Sequence, residues 1–467
     1  MSRRSPPSSS RSRDHGLVLA EKTSSREPTL PTHVNKYADA NGNSKLTPHI
    51  KAAGESGRRG IHPLHFFRIA FRSSSRISMV VSILWPVVPA AIAVKYARHE
   101  WHMAIFVLAY IAMVPCANLV GFAGQEFARK VPHVAGVLVE TCFGSVVEIV
   151  LFMVLLSRDQ FPVIQAAILG SILATMLLCL GLCFFAGGMK RDESSFSEVV
   201  SEAGNGLLLT AGFGLAVPTV FRWSLAETEN AESLTNSTMQ VSRITSILLI
   251  IAYFVYIWFQ ARTHHGIYAA IFEHDEERDN DKTRDMHKDK LTLTECAIAL
   301  AISIALVTIL AIALVDEIPF IIEHGVSDPF MGLILVPLVE KAAEHLTAID
   351  EAWDNQMNFA LSHVLGATLQ TALFNAPLVV IVGWGLQKEM GLDFEIFNMV
   401  VLILAIVTVG QFLRDGKSNY LEGFLCVIVY IAIAVAAFYY PNPHEEGSTA
   451  EGGGESSGSE AHRLMMF

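Results

Sequence analysis

Charge is what this chain carries least of for its size. Only 17% of its 467 residues are Asp, Glu, Lys or Arg and 52% are hydrophobic, with apolar runs near 20 residues long. Soluble domains average about a quarter charged residues, so a water-facing surface over most of the chain is excluded, and the runs have the length of bilayer-spanning helices. Cysteine is also scarce. All six (Cys116, Cys142, Cys179, Cys183, Cys296, Cys426) fall inside apolar runs, which excludes a disulfide framework and predicts free thiols packed as small hydrophobes. Cys179 and Cys183, one helical turn apart, read as helix neighbours and not as a metal pair. The N-terminus lacks the apolar core of a secretory signal, no His-Glu-x-x-His motif occurs, and no Gly-x-Ser-x-Gly elbow lies in the apolar runs. Hydrolase chemistry has no foothold, and neither an enzyme nor a cofactor is expected.

The charges that exist are segregated. Residues 1–76 hold 14 Lys or Arg against 5 Asp or Glu, whereas 273–290 and the tail after Tyr440 are acid-rich, giving a formal net charge of −11. A basic end so balanced does not argue for nucleic-acid binding. Residues 1–76, rich in Ser, Arg and Pro without a sustained period, are expected to be a disordered cytosolic tail, and 441–467 a disordered C-terminal one.

Between the tails lie eleven hydrophobic spans, near 78–95, 101–122, 131–157, 161–187, 204–222, 241–261, 291–315, 328–349, 357–385, 395–413 and 420–440. An offset of 196 residues superposes the third span on the eighth and the fourth on the ninth. The unit of repetition is therefore five spans, an odd number of crossings, so two copies with one internal fold must enter the membrane from opposite sides. The predicted fold is an all-α polytopic membrane protein of about eleven transmembrane helices: an extra first helix (78–95), a first repeat (101–261), a polar cytosolic connector (262–290) read as a solvated loop, and a second repeat (291–440) of inverted topology.

Basic residues favour one side: the N-terminal tail, Arg129, Lys130, Lys190, Arg191, the connector, Arg414 and Lys417 face Lys95, Arg98, Arg158, Arg222 and Lys388 on the other. The richer side is expected to be cytosolic, and the sequon Asn236-Ser237-Thr238 falls in a loop on the far side.

Each repeat places a lone acid in apolar surroundings. Gly144-Ser145-Val146-Val147-Glu148 is followed 22 residues on by Gly170 within Leu169-Gly170-Ser171, and Glu340-Lys341-Ala342-Ala343-Glu344 likewise by Gly366 within Leu365-Gly366-Ala367. A charge at mid-bilayer costs roughly 2.5–3.5 kcal/mol on the most forgiving scale, so a duplicated pair needs a reason, and holding a cation is the commonest. Gly144 and Ser145 remove bulk one turn before Glu148, so a helix can approach or a carbonyl can be exposed; hard cations take such oxygens. Pro337 frees a carbonyl in the second element. Lys341 and Glu344 can pair at i, i+3, and His345 adds a group titrating near neutrality beside the acid or, equally, an interhelical hydrogen bond. Gln165, Ser171 and Gln370 offer further oxygens to an ion or plain bonds between helices. Glu140 lies nearer its span's start.

Gln165-x-x-x-Leu169-Gly170-Ser171-Ile172-Leu173, Ala342-Ala343-Glu344-His345-x-x-Ala348-Ile349 and Gly366-x-x-Leu369-Gln370-x-Ala372-Leu373-Phe374-x-x-Pro377 together resemble the cation/proton exchangers of the Ca2+/H+ antiporter family, within the Ca2+/cation antiporter superfamily. The likeness covers about residues 100–440 and is strongest over 342–384. It implies eleven helices in two inverted repeats, cation- and proton-binding glutamates at Glu148 and Glu344 used in turn, and a vacuolar or other acidic-compartment membrane. Two departures stand out: Ser145 and Lys341 replace the family's asparagines, and Glu340 replaces its second glycine. At an effective dielectric near 20 a unit charge 4 Å away is worth about 4 kcal/mol, so Lys341 bears on the choice between Ca2+ and Na+ or K+. This variant looks like a fungal branch in which some members exchange monovalent cations. Lys341 is alternatively a proton carrier or a partner of Glu340. A cation channel, the remote alternative, would set such acids on symmetric pore helices.

Overall fold

The computed structural model describes residues 56, 60–72, 76–131, 139, 142–278 and 289–440. Most of the expected tails, and Glu140, lie outside these. In chain order the helices are α1 (Pro63–Arg72), α2 (Ser78–Ala97), α3 (His102–Ala128), α4 (Val146–Ser157), α5 (Phe161–Lys190), α6 (Glu198–Leu225), α7 (Ala231–Thr263) and α8 (His265–Arg278). After the connector come α9 (Leu293–Glu323), α10 (residues 328–340), α11 (Ala342–Trp353), α12 (Met357–Gly385), α13 (Ile396–Phe412) and α14 (Tyr420–Phe438). Eight of them, α2, α3, α5, α6, α7, α9, α12 and α14, are long and apolar enough to cross a membrane. The remaining expected spans are built from shorter pieces: α4, α13, and α10 with α11.

The sequence repeat reappears as matched backbone geometry. The same offset of 196 carries α4 onto α11 end for end, and the start of α5 onto the start of α12. Ser145 breaks the helix before α4 at φ −94°, ψ 0°, and Lys341 breaks α10 from α11 at φ −94°, ψ −3°. Asp159 and Asn355, the residues two before α5 and α12, are both left-handed at φ 57° and 76°. Both long helices also widen into a π turn at matching depth, Ala174–Cys179 and Thr371–Asn375. Such turns insert a residue and tilt local side chains off the regular helical face.

Helix α3 packs along α9, its counterpart in the other repeat, and α5 packs against α10. Glycine makes the second crossing possible: a Cβ on Gly170 would stand 2.2 Å from the carbonyl oxygen of Leu333, and one on Gly332 would stand 2.7 Å from that of Val163. Pro337 has no N–H for the Leu333 carbonyl, which is therefore free to lie against Gly170. A two-residue antiparallel pair, β1 (Ser194–Ser195) with β2 (Lys417–Ser418), ties the repeats at one membrane face.

Contacts gather the loops into two sets. On the connector face Leu291 N donates to Glu126 and Lys190 lies 4.0 Å over Trp353. On the opposite face Lys95 and Arg158 both pair with Asp316, at 2.9 and 2.7 Å, Lys388 pairs with Asp159 at 2.6 Å, and Arg222 pairs with Asp393.

Three expectations are corrected. The basic tail is not featureless to residue 76, because α1 forms within it and His62 N donates to Glu295 at 3.0 Å. The connector is not simply a solvated loop: α8 docks through buried Asp275, which accepts from Asn358 N at 2.7 Å, Asn358 Nδ2 at 2.8 Å and Phe359 N at 3.3 Å, capping the start of α12. The sequon lies within helix α7 with Thr238 buried, so it is not the surface loop that glycosylation requires.

Candidate ion-binding site

Each helix break delivers an acid into the first turn of the helix that follows, Glu148 in α4 and Glu344 in α11, where free N–H groups favour negative charge. The two are joined by one ammonium. Lys341 Nζ stands 2.7 Å from Glu148 Oε2 and 3.2 Å from Glu344 Oε2, with Lys341 and Glu148 each 1% exposed. Two acids that lie 196 residues apart in sequence thus share a single counter-charge from the second break.

Glu148 is saturated with donors. Ser171 Oγ donates to Oε1 at 3.0 Å, Asn375 Nδ2 donates to Oε2 at 2.7 Å, and Thr371 Oγ1 lies 2.8 and 3.0 Å from the two oxygens. Thr371 and Asn375 are the first and last residues of the π turn, which turns both toward the same carboxylate. Across the site Gln370 Nε2 donates to Ser145 Oγ at 2.7 Å, so the break residue of one repeat is held by the other.

Glu344 is placed differently. Its side chain is 26% exposed and borders a cavity of about 440 Å³, lined also by Glu340, Gln370, Gly366 and Gly144. A Cβ on Gly144 would come 3.4 Å from Glu344 Oε1, so the glycine leaves the acid its room. The cavity reaches the connector face, where His265, Tyr268 and Phe272 of α8 form part of its wall. Glu148 and Lys341 do not border it. The acids are therefore inequivalent: one faces an aqueous approach and the other is sealed behind the ammonium. On the opposite side the α5–α10 contact at Gly170 closes the route, whereas nothing lies within 4 Å of a Cβ on Gly366, its counterpart.

Chemically this is an oxygen-rich pocket, with carboxylates, hydroxyls and amides, suited to a hard cation. No three His, Cys, Asp or Glu side chains among the described residues converge at metal-ligand spacing. The position between Glu148 and Glu344 is held by Lys341.

Residues 101–262 and 296–439 match the sodium/calcium exchanger protein family. The chain belongs to that family. Over 373 residues it is 31% identical to "Vacuolar cation/proton exchanger 2" of Arabidopsis thaliana, covering 79% of this chain and 82% of that one. It is also 31% identical over 344 residues to the "Vacuolar calcium ion transporter" of Schizosaccharomyces pombe, covering 73% and 81%. The native structure of YfkE superposes with a TM-score of 0.65 at 25% identity, over 78% of this chain and all of that one, and a selenium-substituted structure of YfkE, described as a Ca2+/H+ antiporter protein, with 0.63 at 26%.

Within this exchanger the predicted residues separate into two groups. Glu148, Glu344, Lys341, Ser145, Gly144, Ser171 and Gln370 are brought together. Gln165 is not: its amide donates to Gly391 O at 3.1 Å and Asp393 Oδ1 at 3.3 Å, holding the loop before α13. It sits six residues before Ser171, on the closed side. His345 follows Glu344 and lines the same cavity, but its Nε2 lies 3.3 Å from Thr175 Oγ1, so it serves as a helix-to-helix bond. Thr371 and Asn375 were not singled out from sequence. The available signal was that they are the sole hydroxyl and amide in the apolar stretch 371–383.

Proposed function

We propose that this exchanger is a secondary active antiporter that moves Ca2+ against H+ across the membrane of the vacuole or a comparable acidic compartment, with its connector face toward the cytosol. The observation that carries the reading is the sharing of one ammonium by Glu148 and Glu344, acids from two matched helix breaks, with Glu344 on the wall of a cavity that reaches the connector face. A cation entering from the connector face meets Glu344 first and reaches Glu148 by taking the place Lys341 holds. Protons arriving from the acidic side compete for the same carboxylates and release the ion. Alternating access requires the closed crossing at Gly170 to open while the corresponding face at Gly366 closes. A pH difference of one unit supplies about 1.4 kcal/mol per proton, so two protons against one divalent ion sustain a concentration ratio on the order of a hundredfold before any voltage term.

The names of the relatives support Ca2+ as the load, and the basic connector face supports the orientation. Na+ or K+ is the competing load, favoured by the positive charge of Lys341 within the site. Purified protein in liposomes under an imposed pH gradient, with Ca2+, Na+ and K+ flux measured separately, decides between them. Glu148→Gln and Glu344→Gln should each abolish proton-driven flux while leaving the protein folded; wild-type flux in either variant removes the assignment.

A further inference from the structure

Glu340 has no role in the site as described so far, yet its setting is not that of a structural residue. It is 3% exposed, neither carboxylate oxygen meets a donor in good hydrogen-bond geometry among the described residues, although the Ser171 hydroxyl lies near, and it borders the same cavity as Glu344, one turn away across the break at Lys341. Neighbouring hydroxyls are committed elsewhere. Tyr110 donates to Leu335 O at 2.8 Å and Ser171 donates to Glu148 at 3.0 Å. Lys341, the adjacent cation, is engaged by the other two acids. A buried carboxylate left without a donor is costly, and its persistence beside a cation pathway calls for a cationic partner that comes and goes.

We propose that Glu340 is the third cation-attracting carboxylate of the site, paired in function with Lys341: the lysine cancels one negative charge, and Glu340 restores the two that a divalent ion needs. This rests on the antiport reading and deepens it. With Glu148, Glu340 and Glu344 ionised and Lys341 charged, the pocket carries two net negative charges. A pocket with glycine and asparagine at 340 and 341, the pattern from which this chain departs, carries the same two. The two substitutions thus preserve the sum while moving its location. Negative charge is relocated to the cavity wall, where Glu340 and Glu344 meet an incoming ion before Glu148 does. Lys341 takes the inner position, where it holds Glu148 in place when no ion is bound. The present conformation, in which the acids do not converge at ligand spacing, is the lysine-filled state.

Equilibrium binding of radioactive Ca2+ to the purified full-length protein tests this, alongside liposome flux of Ca2+ and Na+. Glu340→Gln should weaken Ca2+ binding by at least about tenfold, roughly 1.4 kcal/mol, while Na+ binding measured by competition changes less. Lys341→Asn alone should tighten Ca2+ binding. The double variant Glu340→Gly with Lys341→Asn should return Ca2+ affinity to within about threefold of wild type, the gain from removing the ammonium offsetting the loss of the carboxylate. Wild-type affinity in Glu340→Gln, a double variant that binds Ca2+ no better than Glu340→Gln, or no Ca2+ binding by the wild type overturns the proposal. Size-exclusion profiles and the recovery of the double variant separate a charge effect from misfolding. Binding that follows this pattern without pH-driven flux would count against the antiport reading and leave the assignment of Glu340 standing.

Discussion

Lys341, on the break of the second repeat, lies 2.7 Å from Glu148, in the first turn after the break of the first, and both are buried to 1% exposure. An ion pair so deep is held by its partners, because removing one member leaves the other charged and unpaired, typically at about 3–5 kcal/mol. Lys341→Met should therefore lower thermal stability by that order in the absence of ions. Added Ca2+ should restore much of it, since the ion takes the position the ammonium leaves. Thermal unfolding in detergent with Ca2+ and with a chelator reads both effects. Equal melting of variant and wild type without Ca2+, or a variant that Ca2+ leaves unstabilised, rejects the pairing as a substitute for bound cation.

Thr371 and Asn375 bring the second repeat to Glu148 from the far side. Hydrogen bonds to a charged group contribute about 1.5–3 kcal/mol each, so Thr371→Val and Asn375→Leu should each destabilise the protein by that amount and weaken cation binding. The cost should largely vanish in a Glu148→Gln background, where the charged acceptor is gone. A double-mutant cycle on melting free energy checks this, and costs that persist unchanged would show that the two side chains act through packing alone.

Much of this architecture was legible before any coordinates, because the signals were of the kind a bilayer enforces. Apolar runs of helical length fixed the spans, and the cost of a buried charge singled out Glu148 and Glu344. The offset of 196 was written in Gly170 and Gly366 as plainly as in the acids. What escaped notice depended on local backbone departures. The π turn at Thr371–Asn375 redirects two side chains that regular helical spacing would not send to a carboxylate in the other repeat. Gln165 looked equivalent to Gln370 because both are amides near a Leu-Gly pair, but one precedes its glycine and the other follows it, which sends the first to the loop before α13 and the second into the site. Lys341 was recognised as a departure, yet its reach to Glu148 required the two breaks to face each other across the pseudo-symmetric interface. The connector's composition suggested solvation, and its buried Asp275 could be identified only from where α12 begins.

Asp275 lies outside the membrane spans and gives the structure a separate, measurable latch. Burial pushes its carboxyl above the ordinary range, against the pull of its Asn358 and Phe359 donors. A docked α8 thus holds a proton more readily than a released one, so docking strengthens as the pH falls through the raised value and loses that contribution as the pH climbs above it. Asp275→Ala should release α8 at a cost of about 0.5–2 kcal/mol, that of losing a helix cap, and Asp275→Asn should dock without the pH dependence. Hydrogen exchange of residues 265–278, corrected for its intrinsic pH dependence and followed upward from the ordinary carboxylate range, reads both. Protection that does not change with pH in the wild type contradicts the linkage.

The inequivalence of Gly170 and Gly366 gives the sharpest test of alternating access. At Gly170 a methyl group would collide with the Leu333 carbonyl, and because backbone cannot step aside as a side chain can, Gly170→Ala should be among the most damaging small substitutions in the protein. At Gly366 the same methyl meets nothing, so Gly366→Ala should fold and melt like the wild type. If transport requires the repeats to exchange roles, however, Gly366 must in turn pack as closely as Gly170 does now, and the silent substitution becomes a block on that second state. Gly366→Ala should then keep Ca2+ binding from the connector face and lose most of its flux. Labelling of a cysteine introduced beside the cavity should show the protein held open to that face. Normal flux in Gly366→Ala would mean that the closed state on the connector face is not built from this crossing, and the rocking of one repeat against the other would need a different contact to shut it.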